Sequence, residues 1–172
     1  KIASENKVAK AQTPAAKIKE AIAGLKLPRI AIYISEKHIS QALPDPAAQT
    51  ELIEIMRRAG LNVIEYKSSI KSDIFENGIK KITASLKNVD VVILGEGISE
   101  FALRRGELIS CKARLEVKAL NKLNEKILAI KSITASGVDV TESSAAKKSL
   151  QLCSTKLSVD FIIEMIKMWN SK

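Results

Sequence analysis

Two kinds of hydrophobic spacing divide the chain. From Val89 to Gly137 the spacing is that of strands. Val89, Val91, Val92, Ile93 and Leu94 form a short, mostly β-branched run that Gly95 ends, which predicts a strand buried on both faces. Ile109, Cys111, Ala113, Leu115, Val117 and Ala119 then alternate with Ser110, Lys112, Arg114, Glu116 and Lys118, the signature of a half-buried antiparallel strand. Asn121 to Glu125 reverses the chain, and Ile127 to Ser136 returns with Leu128, Ile130, Ser132 and Thr134 as one row. With no Asn-Gly pair between them, these two strands are expected to join through a longer, looser loop.

Ahead of this stretch, helical and strand spacings take turns. Thr13 before Pro14 starts a short helix carrying Ile18, Ile22 and Leu25, since Thr can cap and Pro fits the first helical position. Arg29 to Ser35 reads as a first strand, followed by a polar loop from Glu36 to Pro46 that holds His38, the sole histidine. Ala48, Leu52, Ile55, Met56 and Ala59 recur at helical spacing before Gly60, and Leu61 to Tyr66 supplies a second strand. Ser72-Asp73 opens a further helix, with Ile74, Phe75, Ile79, Ile82 and Leu86 as its buried stripe. After the meander, Val138 to Thr141 turns the chain, and Ser143 or Ser144 starts a long helix with Ala146, Leu150, Cys153, Leu157, Phe161, Met165 and Met168 along one face.

The order β-α-β-α-β-β-β-α predicts an α/β fold, α+β-like in its second half. A single mixed sheet of about five strands is expected, with helices packed on it and Arg29–Ser35, Leu61–Tyr66 and Val89–Leu94 running parallel. Residues 1–12 read as a flexible leader, and 13–172 as one α/β domain with an N-terminal helix. A chain of 172 residues can bury roughly two-thirds of its unfolded surface. Aromatic residues make up only 3%, so the core must be aliphatic.

Charge adds one alternative. The formal net charge is +9, which suits an anionic partner and raises the reading of a cytoplasmic nucleic-acid-binding domain. Against it, the lysines fall on polar helix faces, and Arg57-Arg58 and Arg104-Arg105 are pairs without interleaved aromatic platforms. No run approaches the ~18 apolar residues of a membrane-spanning helix. The first residue is Lys, which predicts a processed or trimmed chain whose export signal or anchor would lie upstream.

Candidate chemistry is sparse. Gly95-Glu96-Gly97 follows a strand as a phosphate loop would, but it lacks a third glycine and a following helix, so a bulge or bend is favoured over a nucleotide-binding enzyme. His38 has no Ser, Cys or carboxylate partner that spacing can nominate. Cys111 and Cys153 form no metal-binding pattern, yet both fall on inward rows, so either a disulfide or two buried thiols would fit. No catalytic residue, cofactor or metal is therefore expected. Partner-binding candidates are Phe101 or Leu103 as an apolar anchor, Arg104 and Arg105 as a charged rim, and Trp169, whose alternative is a packing role. The loop Glu36–Pro46 and a turn Gly95–Arg105 should emerge together at one end of the sheet.

From Pro28 to Lys172, one layout stands out. RIAIYIS, a helix ending in MRRAGLNVIEY, VDVVILGEGIS, an alternating strand pair ending in ITASG, and a long C-terminal helix follow one another. This succession resembles the periplasmic domain of CsgG-type proteins, a group that includes the curli secretion channel protein, the outer-membrane lipoprotein activator of penicillin-binding proteins and the flagellar assembly protein T. The resemblance implies a periplasmic envelope protein, with or without an outer-membrane anchor, that binds envelope proteins or forms a homo-oligomer in secretion or flagellar assembly. It implies no catalysis and carries over no catalytic residues. The stretch SEKHISQALPDPA departs from the group's acidic-aromatic phrase, and the amphipathic segments of a pore are absent.

Overall fold

A computed structural model describes residues 12–65 and 86–171. Helix α1 spans Pro14–Ala21, strand β1 Arg29–His38, β2 Gln41–Ala42, helix α2 Ala47–Arg58 and β3 Asn62–Glu65. Then come β4 Val91–Arg105, β5 Leu108–Asn121, β6 Ile127–Asp139 and helix α3 Glu142–Asn170. The helix expected around Ile74, Phe75, Ile79 and Ile82, Tyr66 of the second strand, and nearly all of the leader lie outside the described residues.

The strands form one mixed sheet of six, in the order β2-β1-β4-β5-β6 with β3 also on β1. β1 runs parallel to both β3 and β4, and β4-β5-β6 is antiparallel throughout. The parallel trio matches the alternation of helical and strand spacing. The two-residue β2 is the addition to the expected five.

At the start of the parallel strands, Arg29 and Asp90 hold each other twice over. Asp90 accepts bonds from the Arg29 amide at 2.8 Å and from the guanidinium at 3.0 Å, while its own amide donates to the Arg29 carbonyl. The guanidinium bond keeps the Asp90 carboxyl below its usual range. Stability from that pair is thus present above the ordinary carboxylate range and lost as pH falls.

One face of the sheet carries the main core. Ile30, Ile32, Ile34, Ile93, Leu115 and Val117 meet α1, α2 and α3 there. The other face of β1 and β4 holds a smaller cluster of Ala31, Val92, Leu94 and Leu120, so the apolar run Val91–Leu94 is buried on both sides as its composition predicts.

Thr141 caps α3 through a bond from the Ser144 amide, so the helix begins at Glu142, one residue or two before the expected start. Its stripe Ala146, Leu150, Cys153, Leu157, Phe161 and Met165 is buried, whereas Met168, in the last turn, is exposed. The helix lies very close to the sheet. A Cβ on Gly137 would stand 2.5 Å from the Ser149 amide nitrogen, and one on Gly97 2.8 Å from Leu150 Cδ2. Gly97 and Gly95 thus serve close packing rather than a bend. Gly95 does not end its strand either, because β4 continues ten residues beyond it to Arg105. Leu128 also leaves its expected row: the ladder shifts between Ala119 and Leu120, so Leu128 and Ala129 are both buried while Ile130, Ser132 and Thr134 share the exposed face.

Leu157 sits mid-stripe at 3% exposure. Replacing it by Ala should cost about 2–5 kcal/mol in a urea unfolding experiment. A loss within the error of the curve would place the stripe outside the core.

Candidate functional site

The end of the sheet where β1 stops beside β4 gathers the hydrogen-bonded side chains of Glu36, His38, Gln49, Ser99 and Glu142. Glu36, near the end of β1, is buried at 5% exposure. The N-cap residue of helix α2 is Pro46, which offers no side-chain cap. Glu36 fills that role from the strand: its carboxylate accepts the amides of Ala47 at 2.8 Å, Ala48 at 3.0 Å and Gln49 at 2.8 Å. An anion at a helix start satisfies orphan donors and complements the helix dipole. Gln49 answers in the other direction, its side-chain oxygen accepting the Ile34 amide at 2.6 Å. Burial pushes the Glu36 carboxyl above the usual range, against the pull of the three amides.

His38, at the last residue of β1, joins three elements. Its Nδ1 lies 3.0 Å from Ser99 Oγ on β4, and its Nε2 lies 2.9 Å from Glu142 Oε1 at the start of α3. The sequence gives no hint of this, since the partners are 61 and 104 residues away. Serine, histidine and carboxylate in a row have the connectivity of a hydrolytic triad. Access decides against that chemistry, because Ser99 is 0% exposed and also donates to the Lys37 carbonyl at 3.3 Å. The trio is a clamp that fixes the helix start to the two strands.

Beyond this clamp β4 and β5 run on as a hairpin. The segment Gly95–Arg105, expected as a turn, is strand, and the true turn is Gly106-Glu107. Gly106 has φ +61, the left-handed value that a two-residue hairpin turn requires. The ladder shifts between Phe101 and Leu103, leaving Ala102 as the extra residue of a β-bulge. Phe101, opposite Cys111, therefore stays on the helix side, while Leu103, opposite Ser110, falls on the other.

Phe101, Leu103, Arg104, Arg105 and Leu108 are all exposed, at 44%, 54% and 50% for the three apolar ones. The alternative that Phe101 and Leu103 pack inward is not what the structure has. The loop Glu36–Pro46 arrives at the same end, partly as strand: β1 continues to His38 and turns into β2 through Ile39 and Ser40. Ile39 has φ +58 and is 61% exposed, with its amide bonded to the Ser99 carbonyl at 2.7 Å. A β-branched residue is strained in that conformation. Hairpin and loop thus lie at the same end of the sheet, the loop against the hairpin's base at Ser99.

Trp169 is not part of it. It packs half-buried against the main core at the far end of α3, roughly 40 Å along the helix from Glu142. The neighbouring Asn170 ties that end to the Lys26 amide and carbonyl.

Cys111 and Cys153 are free buried thiols, not a disulfide. The helix separates them: Cys111 Sγ lies 3.5 Å from the Glu142 carbonyl, while Cys153 sits eleven residues on, near the Ala113 carbonyl. That is roughly 16 Å of helix, so the two thiols sit at different levels of the sheet, each against a carbonyl and not against the other. Burial pushes both thiols up, which disfavours the reactive thiolate. Among the described residues no group of three or more His, Cys, Asp or Glu could hold a metal, and no helix is long and apolar enough to cross a membrane.

No protein-family model and no curated protein matches the chain. Solved structures do. The hypothetical protein CT253 from Chlamydia trachomatis is similar with a TM-score of 0.55 and 10% identity, over 86% of this chain and 100% of that one. A minor lipoprotein from Acinetobacter baumannii follows with 0.47 and 11% identity over 80% and 92%, and lipoprotein GNA1162 from Neisseria meningitidis with 0.45 and 12% over 66% and 85%. The CT253 likeness shows a shared fold.

Glu36→Ala would leave three helix-start amides without their acceptor and should cost about 1–3 kcal/mol. The pH dependence has a definite sign. A carboxyl held above its unfolded value favours folding most when protonated, so its contribution is complete below the ordinary carboxylate range and declines as pH rises through the folded pKa. Glu36→Gln removes that step. Denaturation curves of both proteins from about pH 4 to about pH 7 should show the wild type losing ground to Glu36→Gln. A wild-type advantage that grows with pH would mean that the three amides outweigh burial.

Proposed function

We propose that this protein is a non-catalytic binding or assembly domain of the cell envelope, periplasmic and associated with the outer membrane, that works by holding a protein partner. The observation that carries the proposal is the surface at one end of the sheet. Leu103 and Leu108 stand exposed there beside Arg105 on one face of a hairpin, Phe101 beside Arg104 on its other face, and Ile39 on a tight turn at its base. Exposed apolar anchors within a charged rim are what protein interfaces use, and they disfavour the isolated monomer surface.

The rigid support beneath is consistent with such a role. The His38–Ser99–Glu142 clamp and the Glu36 cap fix the base of the hairpin and the loop beside it. The same clamp supports the non-catalytic reading, since its serine is closed to substrate. Among the described residues Phe101 is the only exposed aromatic, too few for the stacking surface of a nucleic-acid module. The envelope location rests on the resemblance of the phrases RIAIYIS, VDVVILGEGIS and ITASG to the CsgG-type group.

A photo-crosslinking residue placed at Leu103 or Leu108 in the cell of origin should trap a defined envelope protein in the periplasmic or outer-membrane fraction. In a Phe101→Ala/Arg105→Ala background that adduct should fall at least tenfold, with the thermal midpoint unchanged because both side chains are exposed. An undiminished adduct with an intact fold would remove this surface from consideration, and a lowered midpoint would give the two side chains a packing role instead.

A further inference from the structure

β6 is the outermost strand of the sheet, and among the described residues nothing pairs with its outer edge. Long free edges are normally blunted with proline, bulges or outward charges, because unpaired amides and carbonyls recruit further strands. β6 is 13 residues long, contains no proline, and keeps an unbroken register with β5 from Ala129 to Asp139. Its two charges, Lys131 and Asp139, are both engaged within the chain. Lys131 reaches Glu164 of α3 at 3.6 Å, and Asp139 accepts the amide of Val140. The exposed row beside the edge is Ile130, Ser132, Thr134 and Ser136, all uncharged.

We propose that this edge is a homodimer interface, in which a second copy of the chain adds its own β6 antiparallel across a two-fold axis and the two sheets become one. The helix above the edge argues for a second copy rather than a foreign strand. α3 lies over β5 and β6 and runs opposite to β6, with Lys148 Nζ donating to the Val138 carbonyl at 3.1 Å and Glu164 paired with Lys131. Lys148 and Glu164 thus mark the side of the helix that overhangs the edge. The row between them at four-residue spacing is Lys148, Leu152, Lys156, Asp160 and Glu164, basic in its first half and acidic in its second.

An antiparallel copy sets the lysines of one helix against the acids of the other; a parallel one would set like on like. The two-fold axis that pairs the strands imposes that antiparallel helix arrangement as well. Half-buried Leu152, Val159 and Ile163 supply apolar contact. Distances agree too. Strands pair about 4.8 Å apart, so a helix seated across β5 and β6 lies about 5 Å from the axis, and its copy comes to about 10 Å, an ordinary helix-packing distance. This inference does not depend on the hairpin surface or on the envelope location.

The full chain should sediment as a species of twice its 18.8 kDa mass that dissociates on dilution. Hydrogen exchange of the β6 amides should slow as the dimer forms. Lys148→Glu and Glu164→Lys should each weaken association about tenfold, and the double reversal should restore it. Ser132→Lys/Ser136→Lys, two exposed positions, should stay monomeric with an unchanged circular dichroism spectrum. A monomer at every concentration would overturn the proposal, as would a dimer whose β6 amides exchange freely or one that the lysine variant leaves intact.

Discussion

The close seat of α3 on the sheet is the constraint on which the rest depends. Side chains at Gly97 and Gly137 would stand within 3 Å of the helix, so their absence lets the helix backbone lie almost on the strands. That approach lets Glu142 reach His38 and lets Cys111 and Cys153 bond to carbonyls of neighbouring elements. It also leaves Lys148 short enough a path to a carbonyl at the sheet edge. A helix one side chain further away would break all of these together. The hairpin would then project from an unclamped base.

Much of the fold was legible because burial imposes two different periods. The six inward residues from Ile109 to Ala119 show period two, and Ala146 to Met165 shows helical spacing, and both sets are buried. The hairpin was not legible for a local reason. The extra residue Ala102 reverses the alternation in mid-strand, so Ile98, Phe101 and Leu103 fit neither a strand nor a helix pattern. Gly95 and Gly97 strengthened the impression of an ending. One signal was there to be read: Arg105-Gly106-Glu107-Leu108 places glycine first in a two-residue turn.

The polar site was beyond reach for another reason. Glu36 caps a helix that begins eleven residues later, and His38 finds partners on two other elements. No spacing rule covers contacts that exist only after the sheet has closed. The candidate anchors Phe101, Leu103, Arg104 and Arg105 were named because their segment follows a strand of the parallel layer, and the structure exposes all four, with Phe101 and Leu103 on opposite faces of the hairpin. Trp169 shares their residue type as an anchor but not their place. The His38 trio illustrates a wider point, that atoms in a catalytic order define a reaction only if a substrate can touch the first of them.

Ile39 sits at φ +58, where its branched side chain costs the fold about 1–3 kcal/mol. Asparagine tolerates that conformation well. Asparagine there would relieve the backbone and at the same time remove the exposed branched side chain beside Ser99. Comfort of the chain and an apolar surface are therefore alternatives at this turn, and the sequence has the second.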